Sequence, residues 1–247
     1  MMTLCLHHVS TATRGGAKYR QFLITPKGLA RVIRSARALG LEFVGLAEVL
    51  QDPPAFWQTD HARKIVMTYD DGYENFLTHA LPVLERERCP ATVFAVAGKF
   101  AGHNDWDPDL PQARLMSLEQ MQQVTRSGLI TIGSHGLLHR RLQTLAPDAL
   151  DQEIQRSHEI LAAGLGRGYL PTLAYPYGNY SSAVVERAKT SPYKYAFTIK
   201  RGHWLPDTPA YEVPRFCIGM QDGYPLVFFA KCLRNRLRSA ARSTPAR

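Results

Sequence analysis

Short apolar runs alternate with amphipathic stretches along most of the chain. The apolar runs, rich in β-branched and aromatic side chains, predict strands near residues 4–7, 42–44, 64–69, 92–96, 129–133, 172–175 and 195–199. Strands that alternate with helical patterns usually form a parallel sheet with helices packed on it. About seven such units in one chain predict a single-domain α/β fold, a distorted (β/α)7-like parallel barrel.

Two of the predicted helices have clear end signals. Thr25 and Pro26 are typical of a helix N-terminus, and Gly40 ends the apolar stripe that follows them. Ser117, with Gln120 three residues later, predicts a capping box at the start of a second helix. No linker, low-complexity block or repeat of fixed period divides the chain, so we predict a barrel over residues 1–225 and a basic helix and tail over 226–247.

Charge is unevenly distributed along the 247 residues. The net charge is +9, no acidic residue precedes Glu42, and none follows Asp222. The basic C-terminal segment follows an apolar run at 226–229, a pattern that suits peripheral contact with an anionic membrane or a phosphate-bearing substrate. A solvated helix with a frayed tail explains the pattern equally well. The charge comes without a recognition helix, zinc-finger or aromatic-basic pattern, so we expect no nucleic-acid partner.

The cysteines and the apolar runs predict where in the cell the protein lies. The four cysteines form no CxxC pair, which predicts isolated, reduced thiols. The first ten residues lack the apolar run of a secretory signal, and no stretch reaches the length of a membrane span. We therefore expect a cytoplasmic protein, peripheral to the membrane if its basic tail binds there.

Polar side chains collect where the predicted strands end, the place where parallel α/β folds build their sites. Asp70 and Asp71 are adjacent carboxylates, which are costly to hold together without a cation. His135 and His139 are four residues apart, so on one helical turn both imidazoles would face a single ion. Two imidazoles and one carboxylate leave a position open for water, and the second carboxylate is then free to act as a base.

Three motifs resemble those of one enzyme family. Residues 68–72 (TYDDG) resemble the TFDDG motif of the NodB-type polysaccharide deacetylases, carbohydrate esterase family 4, and residues 133–139 (GSHGLLH) resemble their GSH[ST]xxH motif. Residues 174–178 (AYPYG) are similar to the third motif in its YPYG form. The resemblance implies a NodB homology fold that removes an N-acyl group, normally acetyl, from an amino sugar in a polysaccharide, a lipid-linked glycan or a nucleotide sugar.

The resemblance also implies residue roles. Asp71, His135 and His139 match the ligands of one divalent metal ion. Zinc is the ion we expect, although this ligand set also accommodates cobalt and nickel. Asp70 matches the general base. The third motif implies that Pro176 and Tyr177 bind substrate, with the Tyr177 backbone N–H stabilising the oxyanion.

The chain departs from the family pattern at two of these motifs. Gly136 replaces the Ser or Thr after the first histidine, which predicts looser hydrogen bonding there. Ala174 replaces the arginine that holds the base carboxylate in many members. Arg215 offers a guanidinium from another strand end, with a surface ion pair as the alternative. Trp204 either lines an acyl or sugar pocket or packs in the core.

The late leucine-x-histidine motif that supplies the family's general acid is missing. The segment 4–8 (LCLHH) resembles that strand, as if circular permutation had moved it to the front. Alternation places Leu4, Leu6 and His8 on one face, with His7 on the other face, pointing inward over the metal. We therefore expect His7 to be the general acid. The alternative is that His7 and His8 merely end a buried strand.

Two other functions compete with this interpretation. Relatives of the fold also hydrolyse small non-sugar amides or cyclic ureides. A catalytically inactive carbohydrate-binding barrel would keep the metal for structure alone. Asp70 argues against the inactive barrel, because a structural site needs Asp71 and the histidines but no spare carboxylate.

Overall fold

Parallel strands alternate with helices in the computed structural model, which describes residues 1–11, 16–219, 225, 228–230 and 232. The strands are β1 (Met2–Leu6), β2 (His8–Val9), β3 (Leu23–Ile24), β4 (Glu42–Phe43), β5 (Lys64–Tyr69), β6 (Ala91–Ala95), β7 (Ile130–Ser134), β8 (Tyr169–Ala174), β9 (Tyr195–Phe197) and β10 (Phe216–Cys217). The helices are α1 (Ala17–Arg20), α2 (Pro26–Ala38), α3 (Leu46–Gln51), α4 (Pro53–Trp57), α5 (Leu81–Arg86), α6 (Leu118–Thr125), α7 (Pro147–Asp151), α8 (Ser157–Leu165) and α9 (Ser182–Lys189).

The predicted helix signals are confirmed. Thr25 accepts the Gly28 N–H at 3.0 Å and starts α2. Ser117 and Gln120 form the complete capping box of α6. Each predicted strand is present with ends displaced by at most three residues, whereas β2, β3 and β10, each two residues long, were not predicted.

Within the described residues, eight strands form one parallel sheet in the order β10-β1-β5-β6-β7-β8-β9, with β4 paired to the start of β5. Residues 213–218 link the two ends of this order. The Thr198 N–H donates to the Val213 carbonyl at 2.9 Å, and the Ile218 N–H donates to the Cys5 carbonyl at 2.9 Å. The predicted α/β parallel barrel is therefore confirmed in the form of a half-barrel whose edges are joined by this segment.

The two faces of the sheet have separate cores. One large cluster packs the outer face against the helices and includes Ile65 and Met67 of β5. A smaller cluster fills the inside and includes Val66 of β5 and Phe94 of β6. Gly133 of β7 leaves room for the Phe94 ring, which would lie 2.6 Å from a Cβ there. The interior is therefore packed below the carboxyl ends of the strands, where the motif residues lie.

The predicted boundary between residues 225 and 226, and most of the basic segment after it, lie outside the described residues. Within the described ranges, none of the helices combines the length and apolarity needed to cross a bilayer.

Candidate active site

Two consecutive carboxylates follow the last residue of β5. Asp70 and Asp71 are both buried, and Asp71 and Gly72 have φ values of 72° and 75°. In a continuing strand these two side chains would point to opposite faces of the sheet. The left-handed backbone at Asp71 ends that alternation, so both carboxylates lie at the carboxyl end of the sheet.

Asp71 faces the two motif histidines. Its Oδ1 lies 3.4 Å from His135 Nε2 and 3.3 Å from His139 Nε2. This oxygen is buried without a hydrogen-bond partner, a costly state for a carboxylate. The His135 Nδ1–H donates to the Ala174 carbonyl at 2.8 Å, which leaves the Nε2 lone pair facing Asp71. A divalent cation fits these three donors, because two imidazoles and one carboxylate form the open ligand set of many zinc hydrolases.

Burial keeps the imidazole of His135 neutral. It lowers the pKa of His135 to about 4, so the ring can offer a lone pair to a cation at neutral pH. Burial acts in the opposite direction on Asp71 and raises its pKa, but the nearby His139 outweighs that effect and holds the pKa below its usual range. Asp71 is therefore ionised at neutral pH, and a divalent cation would balance its buried charge.

The residues between the two histidines form a loop, so the predicted helical turn is wrong. Gly136 and His139 have φ values of 79° and 59°, outside the helical region. The carbonyls of Gly136 and Leu137 accept the N–H groups of Ala97 and Gly98 at 3.0 and 2.8 Å. The imidazoles converge because this loop folds back onto the end of β6.

Arg215 holds the Asp70 carboxylate in a two-point contact. Its Nη1 and Nη2 donate to the two carboxylate oxygens at 2.6 and 2.7 Å, and its Nε donates to the Thr198 carbonyl at 2.8 Å. Burial alone would raise the pKa of the Asp70 carboxyl, but the charge of Arg215 brings it down to about 2. The surface ion-pair alternative for Arg215 is wrong, because the side chain is fully buried. Arg215 thus makes the contact with the Asp70 carboxylate that Ala174, which has no guanidinium, cannot make.

The first strand has the orientation predicted from its alternation. Leu4 and Leu6 belong to the cluster that packs against the helices, while the Cys5 thiol donates to Asp70 Oδ2 at 3.4 Å. His7 is half-buried and lines the same cavity as Asp70. Cys5 is also the register partner of Cys217, and both are reduced thiols.

His8 also reaches the cavity, so the alternation that placed it with the leucines is wrong for this residue. Its ring is fixed by neighbours. It stacks on Tyr73 with centroids 3.7 Å apart, and its Nδ1 accepts from Asn75 Nδ2 at 3.1 Å. The Val9 N–H donates to the other end of the Asn75 amide at 3.3 Å, which sets the orientation of the amide. Burial lowers the pKa of His8 to about 4, so His8 is neutral at physiological pH and is a weak candidate for the proton donor.

The third motif forms one wall of the cavity, whose volume is about 330 Å³. Tyr177 lines it with φ 58°, and its hydroxyl donates to the Trp106 carbonyl at 3.1 Å. The Arg141 guanidinium lies 4.0 Å from the centroid of the Tyr177 ring. Pro176 is buried next to Gly136 and supports this wall from behind, so the prediction that it contacts substrate directly does not match its position.

Trp204 lies at the other end of the sheet, so the pocket interpretation of this residue is wrong. Its backbone N–H donates to the Met1 carbonyl at 3.0 Å, at the start of the first strand. The indole is 1% exposed and contacts the rings of Trp57 and Phe197. Trp204 therefore closes the bottom of the interior core.

Two residues next to the candidate metal ligands were missed by the sequence reasoning. Trp106 stacks on His139 with centroids 4.4 Å apart, although the loop that carries it reads as polar. A lone tryptophan in such a loop was the available signal. Glu153 is buried and accepts the N–H groups of Leu137 and Leu138 at 2.8 and 3.0 Å. It had no signal, because a glutamate in an amphipathic helical stretch normally faces water.

Comparison with known proteins agrees with this geometry. Residues 58–196 match the family model described as polysaccharide deacetylase, a range that contains both carboxylates and both histidines but neither His7 nor Arg215. A putative polysaccharide deacetylase, YxkH, of Bacillus subtilis (strain 168) is 27% identical over 151 residues, which cover 61% of this chain and 50% of the relative.

Two further relatives extend the comparison. The poly-beta-1,6-N-acetyl-D-glucosamine N-deacetylase of Staphylococcus aureus (strain MSSA476) is 23% identical over 164 residues, 63% of this chain and 54% of that protein. The chain thus matches about half the length of these curated relatives. The solved structure of the Streptococcus pyogenes deacetylase PplD in complex with acetate superposes with a TM-score of 0.74 at 18% identity, covering 92% of this chain and 96% of that one. This superposition shows a shared fold.

Proposed function

We propose, from the premise that this chain belongs to the polysaccharide deacetylase family, that it is a metal-dependent hydrolase of N-acetyl groups on amino sugars. The observation that carries the proposal is the pairing of two carboxylates with different surroundings at one cavity. Asp71 faces two imidazoles with an unpartnered oxygen, while Asp70 is held by a guanidinium. A metal ligand and a base need these two different environments.

Each residue of the site has a separate role in the proposed reaction. A divalent ion held by Asp71, His135 and His139 would polarise the amide carbonyl and acidify a water molecule. Asp70 accepts the proton of the attacking water as its oxygen bonds to the carbonyl carbon. The Tyr177 backbone N–H stabilises the negative carbonyl oxygen. His7 gives a proton to the nitrogen as the C–N bond breaks, so that the products are acetate and a free amino sugar.

An N-acetylglucosamine polymer is the substrate class that we favour. The Staphylococcus aureus relative carries such a polymer in its name. Trp106 and Tyr177 line the cavity beside the ligands, and aromatic faces suit sugar rings. Lipid-linked and nucleotide-linked sugars keep the same chemistry, and zinc is the ion we expect at the ligand set. The circular permutation of the first strand stays a prediction.

Mass spectrometry of defined substrates tests the function. The protein would be incubated with β-1,6-linked N-acetylglucosamine oligomers, lipid-linked and nucleotide-linked amino sugars, and a set of small amides and cyclic ureides. We expect loss of the acetyl mass from the sugars alone. Turnover confined to the small amides or ureides would replace this proposal with the amidase alternative.

Replacing His7 by Ala tests the proton donor. We expect turnover to fall about 10²- to 10⁴-fold with metal content unchanged, because the amine then leaves without protonation. The decline in rate at high pH, which deprotonation of the donor causes, should disappear as well. His8→Ala should have a milder effect, since the pKa of His8 already lies near 4. Full activity in His7→Ala would end this assignment.

Replacing Arg215 by Met tests the support of the base. The variant leaves a buried carboxylate without its partner, so we expect a loss of about 3–5 kcal/mol in the free energy of unfolding. Arg34→Met removes an exposed ion pair with Glu87 and should cost less than about 1 kcal/mol. Equal, small losses in both variants, measured by urea denaturation, would contradict the role of Arg215.

The buried ion pair of Asp70 and Arg215 also predicts that the stability of the fold depends on pH. The folded pKa of Asp70 is about 2, below the value of about 3.9 expected for an unfolded chain. The ionised pair therefore stabilises the fold above pH 4, and this contribution is lost as the pH falls from about 4 towards 2. Urea denaturation across this range should show that loss in the wild type and a smaller one in Arg215→Met.

A further inference from the structure

The loop between the two metal-ligand histidines is held from outside by one buried carboxylate. Glu153 Oε2 accepts the backbone N–H of Leu137 at 2.8 Å and that of Leu138 at 3.0 Å. Both donors lie inside the loop 135–139. Since a charged acceptor makes stronger hydrogen bonds than a neutral one, this contact fixes the middle of the loop firmly.

Because Gly136 has no side chain, the Glu153 carboxylate can approach the backbone of the loop closely. A Cβ at this position would lie 3.0 Å from Glu153 Oε2, and the backbone φ of 79° is in the left-handed region. The family motif places Ser or Thr here. A side chain at Gly136 would therefore compete with Glu153 for the same space, and the glycine and the glutamate form a matched pair.

Glu153 itself is rigidly placed. It lies on the π-helical turn Gln152–Arg156 that joins α7 to α8. The Ser157 hydroxyl contacts the Glu153 carbonyl at 2.7 Å and the Tyr193 hydroxyl at 2.8 Å, which ties this turn to the segment before β9. Arg140, half exposed, places its Nε 3.7 Å from Glu153 Oε1 and partly balances the charge. Glu153 is only 1% exposed, so its carboxylate is kept in the interior at a considerable desolvation cost.

We propose that Glu153 is a positioning residue of the metal site, and that it replaces the Ser or Thr of the family motif by holding the loop that sets the His135–His139 geometry. This inference rests on the proposed metal-dependent function. The bonds that Gly136 was expected to weaken are supplied by a residue 17 positions further along the chain. Glu153 acts on the ion through the loop and does not touch it.

Zinc affinity, measured by competition with a chromophoric chelator, tests the proposal without any substrate. Glu153→Ala should raise the zinc Kd about 10- to 100-fold, as loss of residues that support metal ligands commonly does. Glu153→Gln keeps an acceptor oxygen and should lose less. Glu159→Gln, which removes an exposed carboxylate of α8, is the matched control and should leave the Kd unchanged. Denaturation of the metal-free variants separates this effect from a general loss of stability.

Introducing the family's serine at Gly136 makes the test specific to the contact between this position and Glu153. Gly136→Ser in the wild type should raise the zinc Kd, because the new side chain collides with Glu153. In the Glu153→Ala background the loss from the same substitution should be at least about twofold smaller, since the collision is gone while the cost of a side chain at φ 79° is the same in both backgrounds. The Co²⁺ absorption spectrum should change in Glu153→Ala.

The outcomes separate this inference from the proposed function. A wild-type protein that binds no zinc would overturn both. Tight zinc binding by the wild type and an unchanged Kd in a folded Glu153→Ala would overturn only the positioning role. An equal loss from Gly136→Ser in both backgrounds would do the same. Where Glu153→Ala does not fold, a Glu153→Gln protein with wild-type Kd and Co²⁺ spectrum would also reject it.

Discussion

Replacing Asp70 by Asn should lower turnover about 10²- to 10⁴-fold while the bound metal stays close to the wild-type amount. The amide cannot accept the proton of the attacking water, but the three ligand side chains are untouched. Arg215 would still donate to the amide oxygen, but the amide nitrogen cannot accept the second hydrogen bond, so we expect a loss of stability as well and turnover is compared for the folded protein only. Single-turnover rates and elemental analysis of the same preparation measure both quantities.

A control for the loss of one negative charge is available just before the same strand. Asp60→Asn removes an exposed carboxylate just before β5, at the end of the sheet opposite the cavity. Its turnover and metal content should both equal those of the wild type. Substantial turnover in Asp70→Asn, with Asp60→Asn unchanged, would show that another group acts as the base.

Replacing His135 by Ala should remove both metal and turnover. The ring supplies one of three donors and is itself fixed by its bond to the Ala174 carbonyl. We expect turnover to fall by more than about 100-fold, since even residues that only support a ligand cost about 10- to 100-fold. His79→Ala changes a histidine outside the cavity and should keep full metal content. Full metal occupancy in His135→Ala would show that the ligand set is wrong.

The candidate site was predictable where its chemistry is local in the sequence. Asp70 and Asp71 directly follow a strand whose pattern is unambiguous, and the capping box at Ser117 is complete within four residues. The alternation of the first strand also predicted correctly that His7 faces the cavity. In each case a short-range rule fixes where the side chain points.

The rest depends on contacts between distant segments. The 135–139 loop has helical spacing, but hydrogen bonds from the end of β6 and from Glu153 impose left-handed backbone at Gly136 and His139. The sequence leaves open whether Trp204 lines a pocket or packs in the core, because it cannot say which end of the sheet the loop reaches. Glu153 carries a charge that normally marks a solvated position, and only the fold shows that it is buried.

Reconstitution of the chelated protein with zinc is the most direct test of the central claim. Turnover of an N-acetylglucosamine oligomer would be followed as zinc is added to the metal-free protein in known molar ratios. We predict no measurable turnover before addition and a rise that saturates at one ion per chain, because Asp71, His135 and His139 form one set of donors. Full turnover by the metal-free protein would contradict the account.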